Sequence, residues 1–176
     1  MSDRLLQARA AKLAQPLAQY EDGEMMEVVE FVLAGETYAM ESFHVREVHA
    51  LKQWTPVPCA PPFVLGIINV RGQILTVLDI RRFFDLPTKE LGDDSRVIIA
   101  RGAKGENREM GILADEVLGV RRLSRETIGP SPAAQVAREQ YLQGVSNQSG
   151  SGWLAILDVA KILDDERIVV REEVGT

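Results

Sequence analysis

Chemistry needs side chains that can attack, ligate, or donate and accept protons at a useful spacing. This sequence offers few of them. His44 and His49 flank Glu47, but they are the only two histidines in the chain, and a metal centre needs three or four convergent ligands. A five-residue spacing also sends the two rings to opposite faces of a strand, so both read as solvated or packing histidines. The stretch Gly150-Ser151-Gly152-Trp153-Leu154-Ala155 has dinucleotide-binding spacing but leads into a predicted strand. That motif works only where it opens a helix. No phosphate-binding loop ending in Gly-Lys-Ser/Thr and no Gly-x-Ser-x-Gly elbow occurs. The carboxylate pairs Asp93-Asp94 and Asp164-Asp165 sit in polar segments that a solvated surface explains. The reading is therefore a non-enzymatic protein with no cofactor and no metal.

Two charges stand apart. Glu47 lies in Val45-Arg46-Glu47-Val48, and Arg71 closes the apolar run Ile67-Ile68-Asn69-Val70. A charge emerging from such surroundings is one sign of a partner face, though the residues by themselves favour an ordinary surface ion pair or no pair at all. Arg81-Arg82 and Arg121-Arg122 are the best handle for nucleic acid, but they lack interleaved aromatics. The net charge of −6 disfavours both phosphate backbones and anionic lipid. One cysteine, Cys59, cannot form an internal disulfide and reads as a small, partly buried residue in the rigid loop Pro56 to Pro62. No apolar run approaches the ~20 residues that span a bilayer, and the start lacks a secretory apolar stretch. The expectation is a cytoplasmic protein.

The elements that would position these residues follow from periodicity. Leu5, Leu6, Ala10, Leu13 and Leu17 recur at helical spacing over 4–19, with Pro16 ending or kinking the helix near Gln15. Residues 20–24 read as a linker. From Glu27 the period becomes two, giving a hairpin over Val29–Met40 turned at Ala34-Gly35. A second hairpin joins 63–70 to 73–78 through Arg71-Gly72, and Asp79 caps a short basic helix ended by Leu86-Pro87. Residues 88–95 are a polar connection. Strands follow at 97–100, 110–114 and 115–120. After Gly129-Pro130-Ser131-Pro132 come a helical insert over 133–139, a strand at 153–157 and a helix from Asp158 to Leu163.

The chain repeats itself. Phe63 to Gly72 aligns with Tyr141 to Gly150, so that Gly66 meets Gly144, Asn69 meets Asn147 and Gly72 meets Gly150 at one offset of 78. Leu78-Asp79-Ile80 meets Leu157-Asp158-Val159 one residue later. Val45, Val48 and Leu51 match Val117, Val120 and Leu123 at an offset of 72. Two halves built on one recipe imply two small β-barrels that share an apolar interface, because a barrel of ~60–70 residues is marginal alone.

The stretch Phe63 to Gly72 followed by Leu78-Asp79-Ile80-Arg81 resembles the signature of the CheW family. The Phe31-x-Leu33-x-Gly35 hairpin, Tyr38, Val45-Arg46-Glu47-Val48 and Gly111 to Val117 extend the likeness over about 27–167. The resemblance implies a mainly β fold of two SH3-like, five-stranded barrels related by the pseudo-repeat, with short Asp-capped helices and an extra N-terminal helix. It divides the chain into an extension over 1–24 and a domain over 25–170 whose barrels change near 88–96. The function implied is that of an adaptor coupling chemoreceptors to the histidine kinase CheA in bacterial chemotaxis. Its partners would be the receptors' cytoplasmic tip and the kinase's regulatory domain, and it would be recruited from the cytoplasm to membrane-associated arrays without inserting in the membrane. By position, Val45, Glu47, Arg71 and Gly111 fall where the family contacts or shapes the receptor groove. Gly66 and Gly72 shape the adjoining hairpin. Val48 joins the apolar strand residues by which a barrel end would stack on the kinase. Glu47 and Arg71 are expected within ion-pair reach. A chemosensory circuit that controls something other than swimming, or a small-barrel nucleic-acid binder, are the alternatives.

Overall fold

A computed structural model describes residues 24–102, 108–131, 136–149 and 152–168; the helix expected over 4–19 lies outside them. The first strands are β1 (Met25–Leu33) and β2 (Glu36–Glu41), followed by a 3-10 turn at Ser42–His44. Then come β3 (Val45–Ala50), β4 (Val64–Val70), β5 (Gln73–Leu78), α1 (Ile80–Phe83), β6 (Arg96–Arg101) and β7 (Glu109–Ala114). The last part holds β8 (Glu116–Ser124), a 3-10 turn at Arg125–Thr127, β9 (Ile128–Gly129), α2 (Val136–Glu139), β10 (Leu142–Ser149), β11 (Gly152–Leu157) and α3 (Val159–Leu163).

These strands form two sheets, in the orders β3-β6-β7-β5-β4 and β8-β1-β2-β11-β10-β9. They are the two SH3-like barrels. The second has a sixth strand in the two-residue β9. Its counterpart in the first barrel is the single bridge from Thr55 to Ile67, just as Gly129 bridges Val145. The pairing also corrects where the barrels change. Residues 88–95 join two strands of the five-stranded barrel. The chain leaves the six-stranded barrel at Ser42–His44 and returns to it at Asp115, so one barrel is inserted within the other. The polar composition of 88–95 marks an exposed crossover, and the true return is hidden inside a continuous strand-like run.

The repeat is structural. The backbone N–H of Asp79 donates to Phe63 O at 2.7 Å, and that of Asp158 donates to Tyr141 O at 2.8 Å. Each Asp then caps its helix, Asp79 accepting from Arg81 N and Asp158 from Lys161 N. Gly66 and Gly144 sit at matching register breaks. A Cβ on Gly66 would lie 2.4 Å from Thr55 O, and one on Gly144 would lie 2.7 Å from Gly129 O. Each glycine is what lets a neighbouring backbone come close enough to bridge.

Alternation along the strands fills three apolar clusters. Val97 and Ile99 face the interior of the five-stranded barrel with Leu75, Val77 and Leu113. Val28, Ala39, Leu154 and Ile156 fill the six-stranded one. The opposite faces, including Ile98, Ala100, Ile112, Phe31, Tyr38, Met40 and Leu157, meet between the barrels with α1 and α3. Strands buried on both sides read as unbroken apolar runs, which is why Val97-Ile98-Ile99-Ala100 shows no alternation. Beyond the barrels, Arg167 lies over the Phe83 ring at 4.1 Å and donates to Tyr141 Oη, which in turn donates to Asp165. Burial opposes the charge of Asp165, but the hydrogen bonds from Arg167 and Tyr141 outweigh it and hold the carboxyl below its usual range.

The crossover from one barrel to the other is polar. Arg81, 2% exposed, grips Asp79 through Nε at 2.8 Å and Nη2 at 2.9 Å, and reaches Asp115 through Nη1 at 2.7 Å. Asp115 accepts from Ala34 N at 2.7 Å, in the β1–β2 turn. Removing a partner from a buried ion pair strands its charge. Arg81→Met is therefore expected to cost about 3–5 kcal/mol of stability, read as a fall in the urea midpoint. Adding Asp115→Asn is expected to return part of that loss.

Candidate partner interface

Arg71 and Gly72 close the β4–β5 hairpin with φ of 53° and 88°. Positive φ at both central residues is the primed turn that suits the twist of a two-residue hairpin, and Asn-Gly is its comfortable sequence. Asn69 supports it by accepting from Gly72 N at 2.8 Å. Arginine in the left-handed region costs ~1–2 kcal/mol. The side chain is thus held in the turn at a cost to the backbone, which points to a use for the side chain. It is 75% exposed, and its Nη2 lies 3.1 Å from Glu47 Oε2. The expected ion pair is present.

Glu47 comes from β3, where Arg46, Val48 and Ala50 are exposed and Val45, Glu47 and His49 are half-buried. Its carboxylate gathers further basic side chains. His49 Nε2 lies 3.0 Å from Oε2, and Arg46 Nε lies 3.7 Å from Oε1. Arg46 also bonds Glu109 and the Gln73 side chain, so β3, the hairpin and β7 share one polar cluster. Glu47 Oε1 and His49 Nε2 are shielded from solvent, and among the described residues neither has a partner in hydrogen-bond geometry, so the His49–Glu47 contact is one of proximity. Beside the cluster a cleft of about 550 Å³ runs between the end of β3 and the hairpin, lined by His49, Leu51, Lys52, Ile68, Asn69 and Arg71. Val48 is 39% exposed. The surface sets exposed Val48 and the Leu51 and Ile68 walls of the cleft beside a half-buried acid and a projecting base, a mixture of apolar contact and oriented charge suited to docking.

The other residues singled out from sequence fall elsewhere. Val45 packs against the inter-barrel core. Gly111 is buried in β7, where a Cβ would lie 2.6 Å from Val97 Cγ1 and 3.1 Å from Val77 Cγ2, so its bearing on the surface is through the shape of the barrel. Gly66 lies below the hairpin against Thr55, and Gly72 is in its turn. His44 belongs to the 3-10 turn, not to a strand; it is buried, with Nδ1 2.9 Å from Arg101 O. Cys59 is exposed rather than partly buried. The basic pairs dissolve: Arg81 is internal, and Arg121 and Arg122 lie beside Glu30 and Glu27. No group of three or more His, Cys, Asp or Glu that could hold a metal ion occurs among the described residues. Likewise, no described helix is long and apolar enough to cross a membrane.

Of the further members of this cluster, His49 carries a local signal, because the alternation of β3 places it on one face with Glu47. Gln73 and Glu109 reach the cluster only through the sheet order.

Comparisons with known proteins bear on the chain's family and fold. The CheW-like domain matches residues 27–167. Chemotaxis protein CheW of Treponema pallidum is 29% identical over 151 residues, 82% of this chain and 86% of that one. Protein FrzA of Myxococcus xanthus is 34% identical over 127 residues, 72% of this chain and 78% of that one. The crystal structure of scaffolding protein TtCheW from Thermoanaerobacter tengcongensis superposes with a TM-score of 0.70 at 27% identity, over 81% of this chain and 94% of that one.

Two substitutions separate surface from scaffold. Arg71→Asn relieves the turn and is expected to hold or raise stability by up to ~1 kcal/mol, measured by urea unfolding. Gly111→Val overpacks the five-stranded barrel and is expected to lose ~1–3 kcal/mol in the same assay.

Proposed function

The chain belongs to the CheW family of chemotaxis coupling scaffolds, and on that premise we propose that its β3 and β4–β5 surface docks its signalling partners. The family is non-catalytic, and the proposal extends this to the chain itself: it binds and positions, and transforms no substrate. The receptors' cytoplasmic tip would occupy the groove beside Val45, Glu47 and Arg71. The regulatory domain of CheA would stack on a barrel end through apolar strand residues such as Val48. The protein would act from the cytoplasm, held at receptor arrays by these contacts. A domain running over 25–170, with 1–24 as an extension, accompanies this reading.

The observation that carries it is Arg71. An arginine occupies a turn position that disfavours it, projects 75% exposed, and is aimed by an acid from a neighbouring strand. Ion pairs this exposed contribute little to stability, so the fold gives little reason for its presence. At an interface the same charge sets orientation and partner choice. A second reading keeps the fold and changes the circuit to one that controls something other than swimming. The 34% likeness to Protein FrzA, a relative not named for chemotaxis, supports it.

The test is titration of the purified protein against the regulatory domain of a CheA and against receptor cytoplasmic fragments from the same cell. Micromolar or tighter binding is expected, with Arg71→Glu or Val48→Asp weakening it ~10-fold or more while circular dichroism stays unchanged. Absence of binding to both partners would overturn the proposal.

A further inference from the structure

The cleft between the end of β3 and the β4–β5 hairpin has charge of one sign. Its lining includes three basic residues, His49, Lys52 and Arg71, and among the described residues no carboxylate lines it. The chain as a whole carries −6. Charges more than a Debye length apart, ~8 Å at physiological ionic strength, are largely screened. A ligand in the cleft therefore meets Lys52 and Arg71 more strongly than it meets the remote acids. Glu47 stands beside the cleft and takes Nη2 of Arg71 at 3.1 Å. A guanidinium carries five N–H donors in a planar fork, so most of them remain for a second carboxylate. Lys52 is exposed and has no ion-pair partner among the described residues.

Between these charges the cleft is apolar. Leu51 is half-buried, and Ile68 and Val97 belong to the interior cluster of the five-stranded barrel. An occupant has to bring an apolar group to this floor and negative charge to its rim. Nucleic acid brings the charge, but no Phe, Tyr or Trp lines the cleft to stack a base. The pseudo-repeat shows that the barrel plan does not require the basic rim. The offset of 72 puts Ser124 where Lys52 stands, and the offset of 78 puts Ser149 where Arg71 stands. His49 corresponds to Arg121, which lies 3.0 Å from Glu30. The second barrel is built without Lys52 or Arg71, so these charges serve the surface of the first and not its fold.

We propose, on the reading that this face docks the chain's partners, that its cleft receives an acidic segment of a protein. The segment sets a carboxylate between Lys52 and Arg71 and an apolar side chain against Leu51 and Ile68. Glu47 holds Arg71 at the rim, and Lys52 supplies the second charge. A partner with a basic or neutral residue at that place leaves Lys52 facing a like charge or no charge, which is how the cleft selects.

The test is binding of the full chain to the receptor cytoplasmic fragment and to the CheA regulatory domain from the same cell. Lys52→Glu is expected to weaken at least one of the two by ~10-fold or more. Lys52→Arg is expected to stay within ~3-fold of the parent, and so is Lys161→Glu, the same charge change at an exposed lysine on α3. A carbodiimide, which joins an amine to a carboxylate in direct contact, is expected to couple Lys52 Nζ to an Asp or Glu of the partner, read by mass spectrometry. Equal binding by Lys52→Glu and Lys161→Glu would overturn the proposal and leave the docking face standing. So would a loss of affinity with no carboxylate coupled to Lys52. Displacement of the partner by duplex DNA in a Lys52-dependent way would give the cleft to nucleic acid and overturn it too. A parent chain that binds neither protein would remove the docking reading together with this one.

Discussion

The structure depends on one guanidinium. Arg81 follows its own helix cap, Asp79, at the end of β5, and reaches Asp115 where the chain returns to the other barrel. Asp115 in turn holds Ala34 N in the β1–β2 turn, and its backbone N–H donates to Val32 O at 2.9 Å. One side chain therefore ties together a strand end, a helix start, a crossover and a hairpin. The apolar cluster between the barrels supplies most of the area, but an apolar contact is non-directional and permits sliding. A bidentate grip on one carboxylate and a direct bond to a second allow far less, and the gain is in fixed geometry more than in net energy.

The two halves share a recipe and spend it differently. Asp158 caps α3 as Asp79 caps α1, but Ala160 stands where the repeat would put Arg81, so the buried grip exists once. Gly66 and Gly144 admit the same backbone approach, from Thr55 in one barrel and Gly129 in the other. The hairpin tips diverge. In the first barrel the tip projects Arg71 toward Glu47; in the second the corresponding sequence is polar and rich in glycine and serine. The repeat gives two barrels on one plan, and the surface residues make them unequal.

Much of this could be read from residue order. Period two, the aspartate caps and the paired glycines are local signals, and the strands and caps stand where those signals are. The Glu47–Arg71 pair came from resemblance, and the geometry agrees. What stayed hidden is non-local. Nothing around Asp115 distinguishes a buried hinge from a strand residue, because its partners lie 34 and 81 residues away. Arg81 beside Arg82 looks like a surface pair until the sheets bring two carboxylates to it. The polar composition of 88–96 marks exposure, and exposure is not the same as a change of sheet. The prolines around Cys59 suggest a rigid loop, yet a rigid loop can still stand in solvent.

The insertion of one barrel within the other orders events as the chain leaves the ribosome. Strands β1 and β2 emerge first but must wait for β8, whose partners on β1 lie some ninety residues upstream in the register that joins Val29 to Val120. The inserted barrel, from Val45 to Ala114, is contiguous and can close on contacts of shorter range. Its completion carries Asp115 to the β1–β2 turn, which shortens the loop that the outer barrel has to close. The first hairpin thus keeps two open edges until β8 pairs with β1 and β11 with β2.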